Sequence, residues 1–399
     1  MKIFILKNFI RLICICVSLL VADTAMAFYV DGFFYEENFE SGSRSVTVYS
    51  IPCTDEVTIP QKIVYEGTTY TVTKISLRFP CMPYESYDSN YGKISIINIP
   101  ATIKEINLKG YSYIAGDGIS GPFFIGEWFK GLSKININEN NPYYKSDNGT
   151  LYSKDGKILL YCPSKNTSNM ILSTTEVIGE SAFYYSRIKE INLPSSVYKI
   201  CSRAFFGSSI KVIEIPENVK EIEDETFAFS DIERIILPEN ITSIGNKSFQ
   251  CSDLNSINLP SCLNTIGSYA FEYCQLTELR FPISLRSIGD SAFRMCMYIK
   301  QIYCQWETPI YTSNVFPDNV ISSCILYVPR GRKPKYEATY PWSEFWNIEE
   351  FDSAGIEDIY TDSPLNPVSS KMYDLMGREI KTPTKGNIFI SNGKKVLVH

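Results

Sequence analysis

The residues that could carry out acid–base, nucleophilic or metal chemistry are sparse in this chain and spaced for other purposes. Its one histidine, His399, is the last residue. Ser-His-Asp and Cys-His arrangements and histidine-based metal sites therefore lack an imidazole within the body of the chain. Of twelve cysteines, those beyond residue 27 are Cys53, Cys81, Cys162, Cys201, Cys251, Cys262, Cys274, Cys296, Cys304 and Cys324, and none stand at Cys-x-x-Cys spacing. Cys274 and Cys296 leave two readings open: a disulfide between stacked units, or small apolar fillers in a buried column. The run Glu221, Glu223, Asp224 and Glu225 has the carboxylates a glycosidase would need, but in a regular array such a run also reads as a solvated face. Neither a phosphate-cradling glycine loop nor a dinucleotide fingerprint occurs. No enzyme activity, cofactor or metal is expected.

The composition is that of an ordinary globular protein, 399 residues with 44% apolar and a net charge of -6. That mild acidity argues against nucleic acid as a partner, for which a basic face would be expected. Tyrosine is abundant at 27, which suits either surface recognition or packing within strands.

Behind these residues stands a repeat. Phe183, Phe205, Phe227, Phe249, Phe271 and Phe293 are each 22 residues apart, as are Ile178, Ile200, Ile222, Ile244, Ile266 and Ile288. Pro194, Pro216, Pro238, Pro260 and Pro282 keep the same step. Before each proline an alternating apolar pattern, as in Ile188, Ile191, Leu193 or Leu276, Leu279, Phe281, predicts a short strand. Proline after the strand removes a ladder donor where the chain leaves the sheet. A period in the twenties with one strand per unit is the signature of a leucine-rich repeat solenoid. One unit cannot bury its own apolar face, whereas stacked units pair their strands in parallel and pile Phe and Ile into columns. Ser196, Asn218, Asn240, Cys262 and Ser284 form a further column, predicted to satisfy backbone groups in the turns.

The units, as in Val177 to Phe183 followed by Ile188 to Pro194, resemble the BspA-like leucine-rich repeats of anaerobic gut and oral bacteria. The resemblance implies a secreted or surface-exposed protein, and some relatives bind host matrix proteins. It supplies no catalytic or binding residues.

The flanks complete the fold class, a β-rich solenoid with a 22-residue period, a parallel sheet, a β N-terminal cap, hairpin insertions and a C-terminal cap. Residues 1–27, with Lys2, Lys7 and Arg11 ahead of an apolar run and Ala25-Met26-Ala27, read as a signal peptide cleaved after Ala27, and the run is too short for a stable membrane span. Residues 28–76 read as the N-terminal cap, 77–303 as the array with insertions near 107–131 and 139–163, and 304–354 as the C-terminal cap. The second insertion reads as hairpins with type I′ turns at Asn148-Gly149 and Asp155-Gly156. In the C-terminal cap Trp342, Phe345 and Trp346 either plug the last repeat or form a sugar platform. Residues 355–399 comprise a linker and a small β segment that resembles the C-terminal β-domain of secreted Bacteroidetes proteins, a sorting signal in some of them.

Function is expected in the exposed strand positions. The candidate ligand contacts are Glu190, Asn192, Val212, Glu214, Arg234, Ile236, Asn258, Glu278 and Arg280, together with Phe123, Phe124 and Trp128 in the first insertion, which either touch a ligand or cover a core edge. The mixed charge and the apolar Val212 and Ile236 favour a host extracellular protein over a polyanion, with a glycan as the other ligand class. The alternative is a structural, self-associating surface component.

Overall fold

The structure is a computed structural model that describes residues 26–38, 44–52, 54–77, 94–107 and 131–351, and five short strands between 357 and 397. Residues 1–25 of the predicted signal peptide, and Phe123, Phe124 and Trp128, lie outside the described residues.

The chain opens with a sheet in the spatial order Ala27–Val30, Phe33–Glu37, Ser45–Ser50, Thr68–Ser76 and Lys62–Tyr65, with Glu105–Asn107 also pairing Thr68–Ser76. Two of its hairpins turn on left-handed pairs, Asp31 and Gly32 at φ 49° and 88° and Glu66 and Gly67 at 49° and 79°, the backbone of a type I′ turn. Beside it, Glu56–Thr58, Ile96–Ile99 and Lys134–Ile137 pair in parallel. The second insertion forms Tyr144–Asp147, Thr150–Ser153 and Ile158–Tyr161. Asn148-Gly149 closes its first hairpin as a type I′ turn, with both φ positive. Asp155-Gly156 does not, because only Gly156 is left-handed, and a β-bulge between Leu151 and Tyr152 takes up the difference in register.

Each unit of the regular array contains three hydrogen-bonded bands. The front ladder is made of the predicted pre-proline strands, with Val212, Arg234 and Ser256 in direct parallel register. A side ladder runs through Glu221–Ile222, Ser243–Ile244, Thr265–Ile266 and Ser287–Ile288. The third band consists of turns. There the amides of Ser181, Phe183 and Tyr185 donate forward to the carbonyls of Ser202, Ala204 and Phe206, while Ala182, Tyr184 and Ser186 donate back within their own turn. This alternation places two residues per unit at positive φ, at Ser181, Arg203, Glu225, Lys247, Tyr269 and Ser291, and again four positions later. Only Gly207 among these twelve is a glycine, so the sequence carries no conformational marker of the band.

The core is the stack the period predicts. Adjacent rings from Phe183 to Phe293 stand 5.0 to 5.4 Å apart and within 7° of parallel. The Ile columns are buried around them. Beyond Tyr303, where the regular spacing ends, the front ladder goes on through Ile325–Pro329 and Asn347–Phe351 in the same parallel sense. Phe316, Tyr336, Trp342 and Phe345 close the apolar interior at that end. Strands between Glu357 and Leu397 form a separate five-stranded sheet.

Candidate functional site

Alternation along each front strand turns one side chain inward and the next outward. Ile213, Ile235 and Leu279 point into the core, so their neighbours form two outward rows across the ladder. One row contains Glu190, bridged to Val212, then Arg234 and Ser256; the next contains Glu214 and Ile236, with Asn258 following Ile257 in the same sense. Val212 and Ile236 are 40% and 44% exposed, and Glu190, Asn192, Glu214 and Asn258 are also open to solvent. The candidate residues described by the structure thus share one face. Arg234, Glu278 and Arg280 are only half-exposed.

The C-terminal end of this face differs from the reading of the residues alone. Arg280 ion-pairs with Glu278 and lies with its Cζ 4.0 Å over the ring of Tyr303. Tyr303 in turn stacks on Tyr327 at 4.5 Å and 10°, and the Phe351 ring stands perpendicular to Tyr303 at 5.8 Å. Arg280 is therefore committed to the protein's own surface. Tyr303 and Tyr327 were missed as surface residues because the spacing between strands grows here, Glu278 facing Gln301 and Gln301 facing Ile325. The alternation in Ile325–Pro329 is the signal that would have found Tyr327. Burial and the nearby carboxylates of Glu349 and Glu278 raise the Tyr327 phenol above its ordinary value.

The charged groups of the array mostly tie one unit to the next. Lys211 pairs with Glu233 at 2.9 Å and with Asp253 at 3.6 Å. In the acidic run, Glu223 accepts from the Ser202 amide and hydroxyl at 2.7 and 2.9 Å and pairs with Lys199 at 3.1 Å. Asp224 accepts the Asn246 amide at 2.7 Å, and Glu225 forms a two-pronged bond with Arg203 at 3.0 and 2.9 Å. Only Glu221 of the four stays with its side chain on the open side of a strand. The bonds of Glu223, Asp224 and Glu225 thus clasp one unit to the next. A polar groove of about 600 Å³ follows the side ladder, lined by Glu221, Glu223 and Asp224 of the run together with Gly245, Gly267 and Gly289.

Cys274, Cys296 and members of the turn column bond to backbone carbonyls of the array. Cys274 and Cys296 are buried free thiols whose Sγ atoms donate to the carbonyls of Phe249 and Phe271 at 3.1 and 2.9 Å. Burial pushes the Cys274 thiol up to about 12 and raises Cys296 as well. In the other column, Asn218 donates to Ser195 at 2.9 Å, Ser284 to Leu263 at 2.7 Å and Asn240 to Glu217. Ser196 sits on the carbonyls of Ser173 and Thr175. Trp342 and Phe345 plug the interior, whereas Trp346 is 78% exposed. Among the described residues no three His, Cys, Asp or Glu side chains gather to hold a metal ion, and no helix is long and apolar enough to cross a membrane.

Three bands per unit, front strands in successive parallel sheets, and stacked Phe and Ile columns define a leucine-rich repeat β-solenoid. More particularly, residues 176–300 match the BspA type leucine rich repeat region in six copies, and the chain carries a repeat array of that type. Among solved structures the chain is similar to a leucine-rich repeat protein from Bacteroides ovatus ATCC 8483, at 20% identity over 83% of this chain and 82% of that one with a TM-score of 0.49. It is also similar to one from Eubacterium ventriosum ATCC 27560, at 20% identity over 68% and 95% with a TM-score of 0.40. A leucine rich cell surface protein from Faecalibacterium prausnitzii A2-165 is 18% identical over 85% and 84%, with a TM-score of 0.31. No curated protein matches the chain.

Proposed function

We propose that this is a non-enzymatic, exported recognition protein that binds an extracellular protein of the host through the outward rows of its front ladder. The observation that carries this is the alignment of Glu190, Val212, Glu214, Arg234, Ile236 and Asn258 on one face of a rigid ladder, with two apolar side chains left open among charged ones. A flat, mixed surface with a small apolar centre suits a protein partner. Two basic groups beside this face that could attract a polyanion are already paired, Lys211 to two carboxylates and Arg280 to Glu278. Export is supported by the charged and apolar pattern of residues 1–27, and the small β segment at 355–399 serves surface sorting or retention. The test is a binding screen of the protein against extracellular matrix proteins, mucins and glycans. A saturable hit weakened roughly tenfold by Ile236→Glu or Val212→Glu is the expected result. A hit that survives both substitutions places the contact elsewhere.

The second reading is self-association at the cell surface. It is favoured by apolar side chains exposed on the turn band, where Phe229 and Tyr273 are each half-exposed. Concentration-dependent oligomers in light scattering, together with an empty screen, would establish it.

A further inference from the structure

The stacked pair Tyr303 and Tyr327 is bounded unequally. On one side the cross-strand neighbour of Tyr303 is Arg280, and its guanidinium covers that ring. On the other side the cross-strand neighbour of Tyr327 is Glu349, an exposed carboxylate that makes no hydrogen bond or ion pair among the described residues. Phe351 packs instead on Tyr303, its ring perpendicular to that ring at 5.8 Å. The free side of the pair therefore has an aromatic face and an unpaired carboxylate one strand apart, where the opposite side has an aromatic face and a cation. Aromatic faces attract cations through the ring quadrupole, and a carboxylate adjacent to the ring strengthens the pull. The second carboxylate in the neighbourhood, Glu278, is already neutralised by Arg280. The charge balance beside Tyr327 is thus negative.

We infer that the Tyr327 face and Glu349 form a receptor for an arginine or lysine side chain of a protein partner, seated as Arg280 is seated on Tyr303. This rests on the reading of the front ladder as a protein-binding face and names the chemistry of its partner: a basic segment docks at the C-terminal end of the ladder, outside the central residues Val212 to Asn258. The stacking of the two rings holds the receiving face in place before the partner arrives, which lowers the ordering cost of binding.

The test uses the full chain and two short probes, an arginine-glycine peptide and its glutamate-glycine counterpart, with Tyr ring resonances followed by NMR. The arginine peptide is expected to bind saturably and shift the Tyr327 ring, and the glutamate peptide to leave it unmoved. Glu349→Gln should weaken binding by about threefold or more, the loss of one exposed charge–ring contact. Glu349→Lys should abolish it, because the new ammonium occupies the ring face from the neighbouring strand as Arg280 does on the other side. Glu217→Gln, an exposed carboxylate elsewhere on the array, should change nothing. Equal binding of the arginine peptide by wild type and Glu349→Lys overturns the proposal, as does a wild-type protein that fails to bind it. If a screened protein ligand is lost in Ile236→Glu but the arginine peptide does not bind, the basic-segment receptor falls and the binding-face reading stands. If neither a screened ligand nor the peptide binds, both fall.

Discussion

At the scale of single residues, the polar and sulfur side chains of the array act on the neighbouring unit 22 residues away. Asn246 shows the pattern, accepting at its side-chain Oδ1 from the Ser268 backbone amide while its own backbone amide donates to Asp224 Oδ1. Gly267 belongs to the same seam. A Cβ there would fall 2.5 Å from the Asn246 amide nitrogen and 2.6 Å from the Gly245 carbonyl carbon, and backbone cannot step aside as a flexible side chain can. Gly267→Ala should therefore destabilise the protein by about 2 kcal/mol or more, measured by urea denaturation. The thiol of Cys274 allows a second prediction. In the unfolded chain it ionises near its ordinary value of 9.0, in the folded chain at about 12. The folded state holds its proton more tightly, so this group's contribution to stability is whole below pH 9 and is lost as the pH rises toward 12. At pH 8 a maleimide should label exposed Cys262 quickly and leave Cys274 and Cys296 unlabelled until the protein unfolds.

At the scale of elements, no strand of the regular array could persist alone. Side-ladder strands such as Ser243–Ile244 are two residues long, far below the length at which an isolated strand is stable. They exist because equivalent residues on either side supply hydrogen bonds and the Phe stack supplies buried area. Phe249 is fully buried between Phe227 and Phe271, at ring distances of 5.4 and 5.2 Å. Phe249→Ala should cost roughly 3–5 kcal/mol. Because Phe271 shares that contact, the double variant with Phe271→Ala should cost less than the two single losses added together, as a double-mutant cycle would reveal. The front strands were legible because alternation before a proline is a two-residue period with a stop signal. The side ladder and the turn band were not. Two-residue strands show no periodicity, and left-handed residues such as Arg203, Glu225 and Lys247 carry none of the usual glycine marking. Their conformation is imposed by the forward hydrogen bonds of the band, at a backbone cost of order 1 kcal/mol each that only a stacked neighbour offsets.

At the scale of the whole molecule the stack must be closed at both ends, since a solenoid's last unit exposes the same apolar face that every inner unit buries. Phe316 stacks on Phe293 at 5.5 Å and continues the Phe column, while Trp342 packs against Phe281, Trp306 and Tyr336. Tyr336 donates its hydroxyl to the Trp306 carbonyl at 2.8 Å, and the Trp342 indole donates to Ile310 at 2.7 Å. A chain ended after Cys304 would leave Phe281 and Phe293 uncovered. It should elute as oligomers or aggregates in size-exclusion chromatography where the full chain does not.

By itself the sequence determined the repeat period, the identity of the buried Phe and Ile columns, the front strands and the structural use of Asn218 and Ser284, because each rests on a spacing that the stack copies without change. It also indicated the face on which Glu214, Ile236 and Asn258 lie. Only the tertiary structure decided which exposed residues are available. Arg280, an open candidate by spacing, is taken up by Glu278 and Tyr303, and the acidic run at Glu223 to Glu225 is taken up by Ser202, Asn246 and Arg203. The physical reason is that burial follows from a residue's position within its own repeat, whereas surface partners such as Tyr303, Ser202, Asn246 and Arg203 belong to an adjacent repeat. Which partner stands there depends on a register that grows beyond 22 residues at the C-terminal end of the ladder.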